Sequence, residues 1–302
     1  MNKFNYLLKI SCVLILGACS AQKNLTKIAP DLTLKTQIIG GAKVQSGAAI
    51  GSSIVGIYDT EKQFTCTGTL LANNVILTAA HCVESSASKI RIVFGTELMT
   101  AVLSHEISKQ ESFVRAGVSL KVHPDWNQEA NKTKNTDWHD LALIKFSGSV
   151  PEGYKPASFL QDISVLVKGA YVSLAGYGVT NVDVQQINPK KYKNIDQAIE
   201  NEEVVCDDEK RSHCYKMDFQ GNDELYETKA PISGLTETEV RLDESIHGTC
   251  VGDSGGPAFI EKDGQYYIFG ITSRGSFSCD GTGVYTNAVI YRPWIEATIK
   301  SL

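Results

Sequence analysis

No apolar run in this 302-residue chain is long enough to cross a bilayer as a stable helix; the one near the N-terminus, Ile10 to Leu16, is far too short. Positive charge is also in short supply. With 29 lysines and arginines against 34 acidic residues the net charge is −5, which offers no basic field to nucleic acid. Long heptads, phosphate-binding loops and internal repeats are missing. Histidines occur only at 81, 105, 123, 139, 213 and 247. No two of them stand one helical turn apart with a third ligand nearby, so neither a metal nor another cofactor is expected.

What stands out instead is Gly252-Asp253-Ser254-Gly255-Gly256-Pro257, a hydroxyl nucleophile set among glycines. Acyl transfer needs two backbone N–H donors aimed at the oxyanion of a tetrahedral intermediate. Gly252 can turn its amide that way without a Cβ clash, and the Ser254 amide would supply the second donor. Alone, the hexapeptide could be a glycine-rich turn. A serine hydroxyl also needs a base, and the base needs a third group to hold it in one tautomer. His81 ends the apolar, strand-like run Val75-Ile76-Leu77-Thr78-Ala79-Ala80 and is the candidate base. Asp140 heads Leu141-Ala142-Leu143-Ile144-Lys145-Phe146, a run with the length and apolar content of a buried strand. By itself, a carboxylate there reads as a solvated turn residue.

Taken together, the three segments resemble the chymotrypsin-like (trypsin-like) serine peptidase family, from Ile38 to the C-terminus. The order His81, Asp140, Ser254 is that of chymotrypsin and differs from the orders in subtilisins and α/β-hydrolases. Ile38-Ile39-Gly40-Gly41, Gly176-Tyr177-Gly178, Gly283-Val284-Tyr285-Thr286 and Trp294-Ile295 add to the resemblance. It implies that Ser254 attacks the scissile carbonyl of a protein or peptide substrate, His81 carries the proton, and Asp140 orients His81. Ser273 aligns with a family serine near that aspartate and is grouped with the substrate pocket. The other histidines, including His139 beside Asp140, read as structural or exposed. A non-catalytic member of the same fold, acting as an adhesin or binding module, is the alternative; such members usually lose a triad residue, and here all three are present.

The resemblance also implies disulfides Cys66–Cys82 and Cys250–Cys279, the second tying the nucleophile loop to the pocket wall. Cys206 and Cys214 are left for each other, with a shorter separation than the family's usual bridge in that region. An even set of six cysteines behind an export signal fits an oxidising compartment. Asn2-Lys3 and Lys9, the apolar run and Leu16-Gly17-Ala18-Cys19 form that signal, and its ending resembles a bacterial lipoprotein signal. Residues 1–18 are thus expected as signal peptide and 19–37 as propeptide. Cys19 is the candidate lipidated residue, on the outer membrane or cell surface.

Family members of this kind are made inactive and switched on by cleavage before Ile38, whose new α-amino group pairs with Asp253. Breaking such a buried pair costs roughly 3 to 5 kcal/mol, ample to hold or release an oxyanion loop. Residue 37 is glutamine rather than lysine or arginine, which puts activation by a trypsin-like protease in doubt, although Lys35 lies nearby. No cysteine falls between Ser20 and Gln37, so cleavage would also free the catalytic domain from its anchor.

In this family the residue six before the nucleophile forms the pocket base, and here it is Gly248 rather than the aspartate of trypsins. Gly275 and Gly283 align with the walls, giving an open slot that suits an apolar or medium-sized residue. Asp280 could still reach in and restore a basic preference. Val251 would line the entrance. Arg274 stands between selecting an acidic residue further along the substrate and being simply exposed.

The resemblance implies an all-β fold of two six-stranded antiparallel β-barrels with a short C-terminal helix, in a domain spanning 38–302: a first barrel near 38–155, a second near 156–290 and a helix near 291–302. Strand-like segments such as Ser53 to Tyr58, Lys89 to Phe94 and Tyr266 to Ile271 suit that architecture. A monomer is expected, with an activating protease as its other partner. The charged stretch 181–245 matches the family poorly and reads as a solvated surface insertion, with a binding site for a large substrate or regulator as the alternative.

Overall fold

The structure is a computed structural model that describes residues 38, 40–104, 111–127, 136–200, 204–206, 210–221, 223–276 and 278–302. The expected signal, the propeptide with Cys19, and His105 lie outside the described residues.

After the two-residue strand β1 (Ala42–Lys43) come β2 (Ile54–Asp59), β3 (Phe64–Ala72), β4 (Val75–Thr78), β5 (Ile90–Val93), β6 (Val114–Val122) and β7 (Ala142–Phe146). These last six close into a barrel in the order β2-β3-β4-β7-β6-β5, with β5 pairing back onto β2. Closure leaves no unpaired edge. The β-branched and aliphatic side chains Ile54, Ile57, Leu70, Ile76, Ile92 and Ile144 are fully buried inside it, which is why short runs rich in these residues form strands here. Phe94 meets Phe146 and Tyr154 edge-on at 5.7 and 4.9 Å.

The second barrel uses β9 (Tyr171–Gly176), β13 (Tyr226–Leu235), β14 (Glu239–Asp243), β15 (Pro257–Lys262), β16 (Gln265–Arg274) and β17 (Thr282–Asn287), with the short β8 (Ser158–Phe159) lying parallel to β16. The sheet runs β13-β14-β17-β16-β15-β9, and β9 pairs with β13 to close it. Leu174, Ala230, Ile232, Val240, Phe269 and Tyr285 fill its core. A terminal helix, Arg292–Ser301, buries Ile295 against the first-barrel side of the core.

The stretch 181–245 divides in a way its charge conceals. Only its first part stands apart, as a three-stranded sheet of β10 (Asn181–Ile187), β12 (Cys214–Gln220) and β11 (Val204–Cys206), with β12 central. Residues 226–243 are barrel strands rather than insertion. Tyr226, Thr228, Ala230 and Ile232 alternate inward, while Lys229 points out to an ion pair with Glu261 at 2.8 Å. Glu227 and Lys229 lie on the outer face of this half-buried sheet, whereas Glu239 is buried.

Candidate active site

His81 sits in a short 3-10 turn, Ala80–Cys82, directly after β4, and Asp140 immediately precedes Leu141 and β7, which pairs with β4. Strand pairing therefore brings the two together although 59 positions separate them. His81 Nδ1 lies 2.8 Å from Asp140 Oδ2, and the His81 amide donates to Oδ1 at 3.1 Å. Asp140 is fully buried. Ser273 Oγ, from β16 of the other barrel, donates to Oδ2 at 2.6 Å, and Thr286 Oγ1 donates to the Asp140 carbonyl at 3.0 Å. Burial alone would lower the His81 pKa; the Asp140 charge and hydrogen bond, with a smaller contribution from Glu84, outweigh it and leave the pKa raised.

Ser254 is delivered by a loop of the second barrel that is anchored on the first. Thr67, in β3, donates its amide to the Ser254 carbonyl at 2.8 Å and its hydroxyl to the Gly252 carbonyl at 2.9 Å. The same strand carries Cys66, which is bonded to Cys82 beside the imidazole. One strand thus holds both halves of the site. No hydrogen bond joins Ser254 Oγ to His81 among the described residues; such bonds often tighten only when substrate binds. Gly252 has φ +97, and a Cβ there would stand 2.9 Å from Gly178 Cα, so only glycine suits the position. Neither the Gly252 nor the Ser254 amide has an acceptor among the described residues.

Asp253 points away from the cleft and is fully buried. The amides of Gly178 and Cys250 donate to its two oxygens at 2.8 and 2.9 Å. Burial pushes its carboxyl up to about 7 despite these bonds from Cys250 and Gly178. No cation pairs with it among the described residues. Ile38 is also buried, with φ 32, a conformation that β-branched residues rarely adopt.

A cavity of 220 Å³ opens beside Ser254, lined among others by Thr249, Val251, Gly275 and Cys279. Of the residues expected at the pocket, Gly275 lines it, while Ser273 faces Asp140 instead. Asp280 is exposed, holds the Ser278 hydroxyl and does not line the cavity, because the loop turns its carboxylate outward. Gly248 and Gly283 lie behind the wall, against a residue with no sequence signal: a Cβ at either would collide with the side chain of Glu244. Arg274 lines the cavity, but its guanidinium is bound at both ends, at 2.8 and 3.0 Å, by the buried Glu239 and stacks on Trp138 at 4.2 Å. It has no side-chain charge left over for an acidic substrate residue.

The structure gathers His123, Asp125 and His139, whose ligand-type atoms lie within 4.8 Å of one another. Their separation in sequence hid this cluster. His123 Nδ1 accepts the Asp125 amide at 3.3 Å, His139 Nδ1 meets the Tyr291 hydroxyl at 2.5 Å, and the rings stack at 5.7 Å. The His139 contact ties the segment before Asp140 to Tyr291, which caps the terminal helix. The bridges Cys66–Cys82, Cys206–Cys214 and Cys250–Cys279 are all formed.

Comparison with known proteins agrees with this geometry. The family model described as Trypsin matches residues 38–295. Chymotrypsin-like elastase family member 3B of Homo sapiens is 30% identical over 244 residues, covering 78% of this chain and 79% of its own. Chymotrypsin-like elastase family member 1 of Macaca fascicularis is 27% identical over 249 residues, with 78% and 79% covered, and granzyme F of Mus musculus is 24% identical over 282 residues, with 92% and 97% covered. Two closed six-stranded barrels, the cleft between them and a match over nearly the whole described chain lead to one conclusion: this protein belongs to the trypsin family, the chymotrypsin-like serine peptidases.

Proposed function

We propose that the protein is a serine endopeptidase that works through an acyl-enzyme, with His81, Asp140 and Ser254 as its triad. The observation that carries this reading is the buried Asp140 carboxylate 2.8 Å from His81 Nδ1, facing a nucleophile loop whose Gly252 and Ser254 amides are both free. His81 Nδ1 then carries a proton toward Asp140, which leaves Nε2 as the base. Ser254 Oγ forms a bond to the scissile carbonyl carbon, its proton passes to Nε2, and the carbonyl oxygen takes its charge to the two amides. Collapse breaks the C–N bond as Nε2 protonates the leaving amine. Water repeats the sequence on the ester and frees Ser254.

The same reading includes synthesis as a zymogen. Asp253, buried without a cation, is the partner that a new α-amino group at Ile38 would neutralise. An anchor at Cys19 and release on cleavage complete the proposal, with the lipoprotein held at the outer membrane or cell surface until an activating protease cuts. No helix among the described residues is long and apolar enough to cross a membrane. The mature, Ile38-starting protein is expected in the soluble fraction after a salt wash; its retention in membranes would contradict release.

The experiment that tests the peptidase reading is digestion of a peptide library with protein processed to Ile38. Cleavage is expected with the native chain and none with Ser254→Ala; equal products from both, or none from either, would overturn it.

A further inference from the structure

Glu244 carries a buried carboxylate for which the peptidase reading has so far no role. It follows β14, is only 3% exposed, and takes no lysine, arginine or histidine as an ion-pair partner among the described residues. Its Oε1 accepts from the Tyr285 hydroxyl and, at 3.2 Å, from Thr249 Oγ1. Its Oε2 takes a longer 3.4 Å bond from the same Thr249 hydroxyl, and the Thr249 backbone also bonds the carboxylate. Both oxygens thus have hydrogen-bond partners, but every one of those partners is neutral.

The carboxylate stands behind the substrate cavity, against glycines of its wall. A Cβ at Gly283 would stand 2.3 Å from Oε2, and a Cβ at Gly248 would stand 2.4 Å from Glu244 Cβ, so the side chain fills the room both residues leave. Gly275, which lines the cavity, backs onto Gly283: a Cβ there would lie 4.0 Å from Gly283 Cα. Thr249 lines the cavity and bonds Glu244 at once. The carboxylate thus lies one layer beyond the end of a slot that opens beside the nucleophile.

Resting on the peptidase reading, we propose that Glu244 is the specificity-determining residue of this slot, drawing in a lysine or arginine side chain just before the scissile bond. An uncompensated buried charge is costly, and a substrate cation at the floor would compensate it. The one cation lining the slot, Arg274, is already held by Glu239. The groups facing Glu244 are Tyr285 from β17, the Thr249 hydroxyl and, further off, the Asp253 charge; none is cationic. Burial, only partly offset by the Tyr285 and Thr249 bonds and reinforced by Asp253, pushes its carboxyl up to about 7, so it would be mostly neutral in acid and charged in mild alkali. Basic selectivity is therefore expected to strengthen as the pH rises through neutrality. The aspartate usual at the pocket base is replaced by glycine, and a charge enters the same region from four residues upstream.

The test compares matched peptide amides with lysine or leucine before the scissile bond. For the protein processed to Ile38, the Lys:Leu ratio of kcat/KM is expected to rise with pH from 6 to 8, and Glu244→Gln is expected to lower that ratio at pH 8 by about 10-fold, as for loss of one charged contact. A ratio unmoved by the substitution, or by pH in the native protein, would overturn the assignment. A binding arm separates this from failure of the peptidase reading. In a Ser254→Ala background, calorimetry is expected to show benzamidine binding more tightly than uncharged benzamide at pH 8, with the preference falling at pH 6 and lost in Glu244→Gln. Equal affinity for the two in the unsubstituted pocket would count against Glu244 whether or not the protein cleaves peptides.

Discussion

Ser273 Oγ donates to Asp140 Oδ2 at 2.6 Å, so the second barrel steadies the carboxylate that the first barrel presents to His81. Removing that donor in Ser273→Ala leaves a buried oxygen short of a partner. Such a loss is worth about 1.5 to 3 kcal/mol when the acceptor is charged. A fall in kcat of about 10-fold, with KM nearly unchanged, is the expected result of steady-state kinetics; a purely structural serine would alter the melting temperature alone.

Gly252→Ala is expected to cripple turnover. The backbone there has φ +97 and the added Cβ would press on Gly178 Cα at 2.9 Å, so the amide must swing away from the oxyanion. Loss of one such donor typically lowers kcat by about 100- to 1,000-fold. Rapid-quench measurement of acyl-enzyme formation checks this, and an unchanged burst would refute it.

Before cleavage, Asp253 holds its proton up to about 7, mainly because it is buried, whereas in an unfolded chain it titrates near 4. Between those values the folded chain keeps a proton that the unfolded chain has lost. The stability from this group is therefore full below about pH 4 and is lost as the pH rises through about 7. Denaturant unfolding of the uncleaved Ser254→Ala protein at pH 5 and pH 8 is expected to show a difference that shrinks in Asp253→Asn. If the processed enzyme forms the proposed Ile38–Asp253 pair, its activity is expected to fall in alkali as the Ile38 ammonium loses its proton, and a flat rate through about pH 10.5 would contradict the pairing.

The disulfides are expected to rank by the loop they close. Cys206–Cys214 spans 8 residues, Cys66–Cys82 spans 16 and Cys250–Cys279 spans 29. Chain-entropy arguments then give losses of about 2.5, 3.1 and 3.6 kcal/mol on replacing each pair by serine. The first pair lies in the outlying sheet, so its removal is expected to spare activity, as guanidinium titration with a parallel assay would show.

The strands were legible where β-branched residues stand between turn residues: Ile54–Asp59 and Ile90–Val93 fall within a residue of expectation. In Tyr226–Leu235, outward-facing Glu227 and Lys229 and a mid-strand Pro231 masked an alternation that becomes plain only beside β9 and β14. His81, Asp140 and Ser254 sit in short motifs and could be named from the chain. Thr67 and Glu244 could not, because their significance comes from what the fold sets beside them: the nucleophile loop for one, two glycines and a cavity for the other. Arg274 shows the converse. Its position pointed toward substrate, but a buried Glu239 lying 35 residues upstream claims its guanidinium.

The most direct measurement is mass-spectrometric mapping of a fluorophosphonate probe on the protein processed to Ile38. A single adduct on Ser254, slowed strongly by His81→Ala and absent from Ser254→Ala, is the predicted result. No adduct on the native protein, or equal labelling of the Ser254→Ala variant, would contradict the assignment of Ser254 as an activated nucleophile.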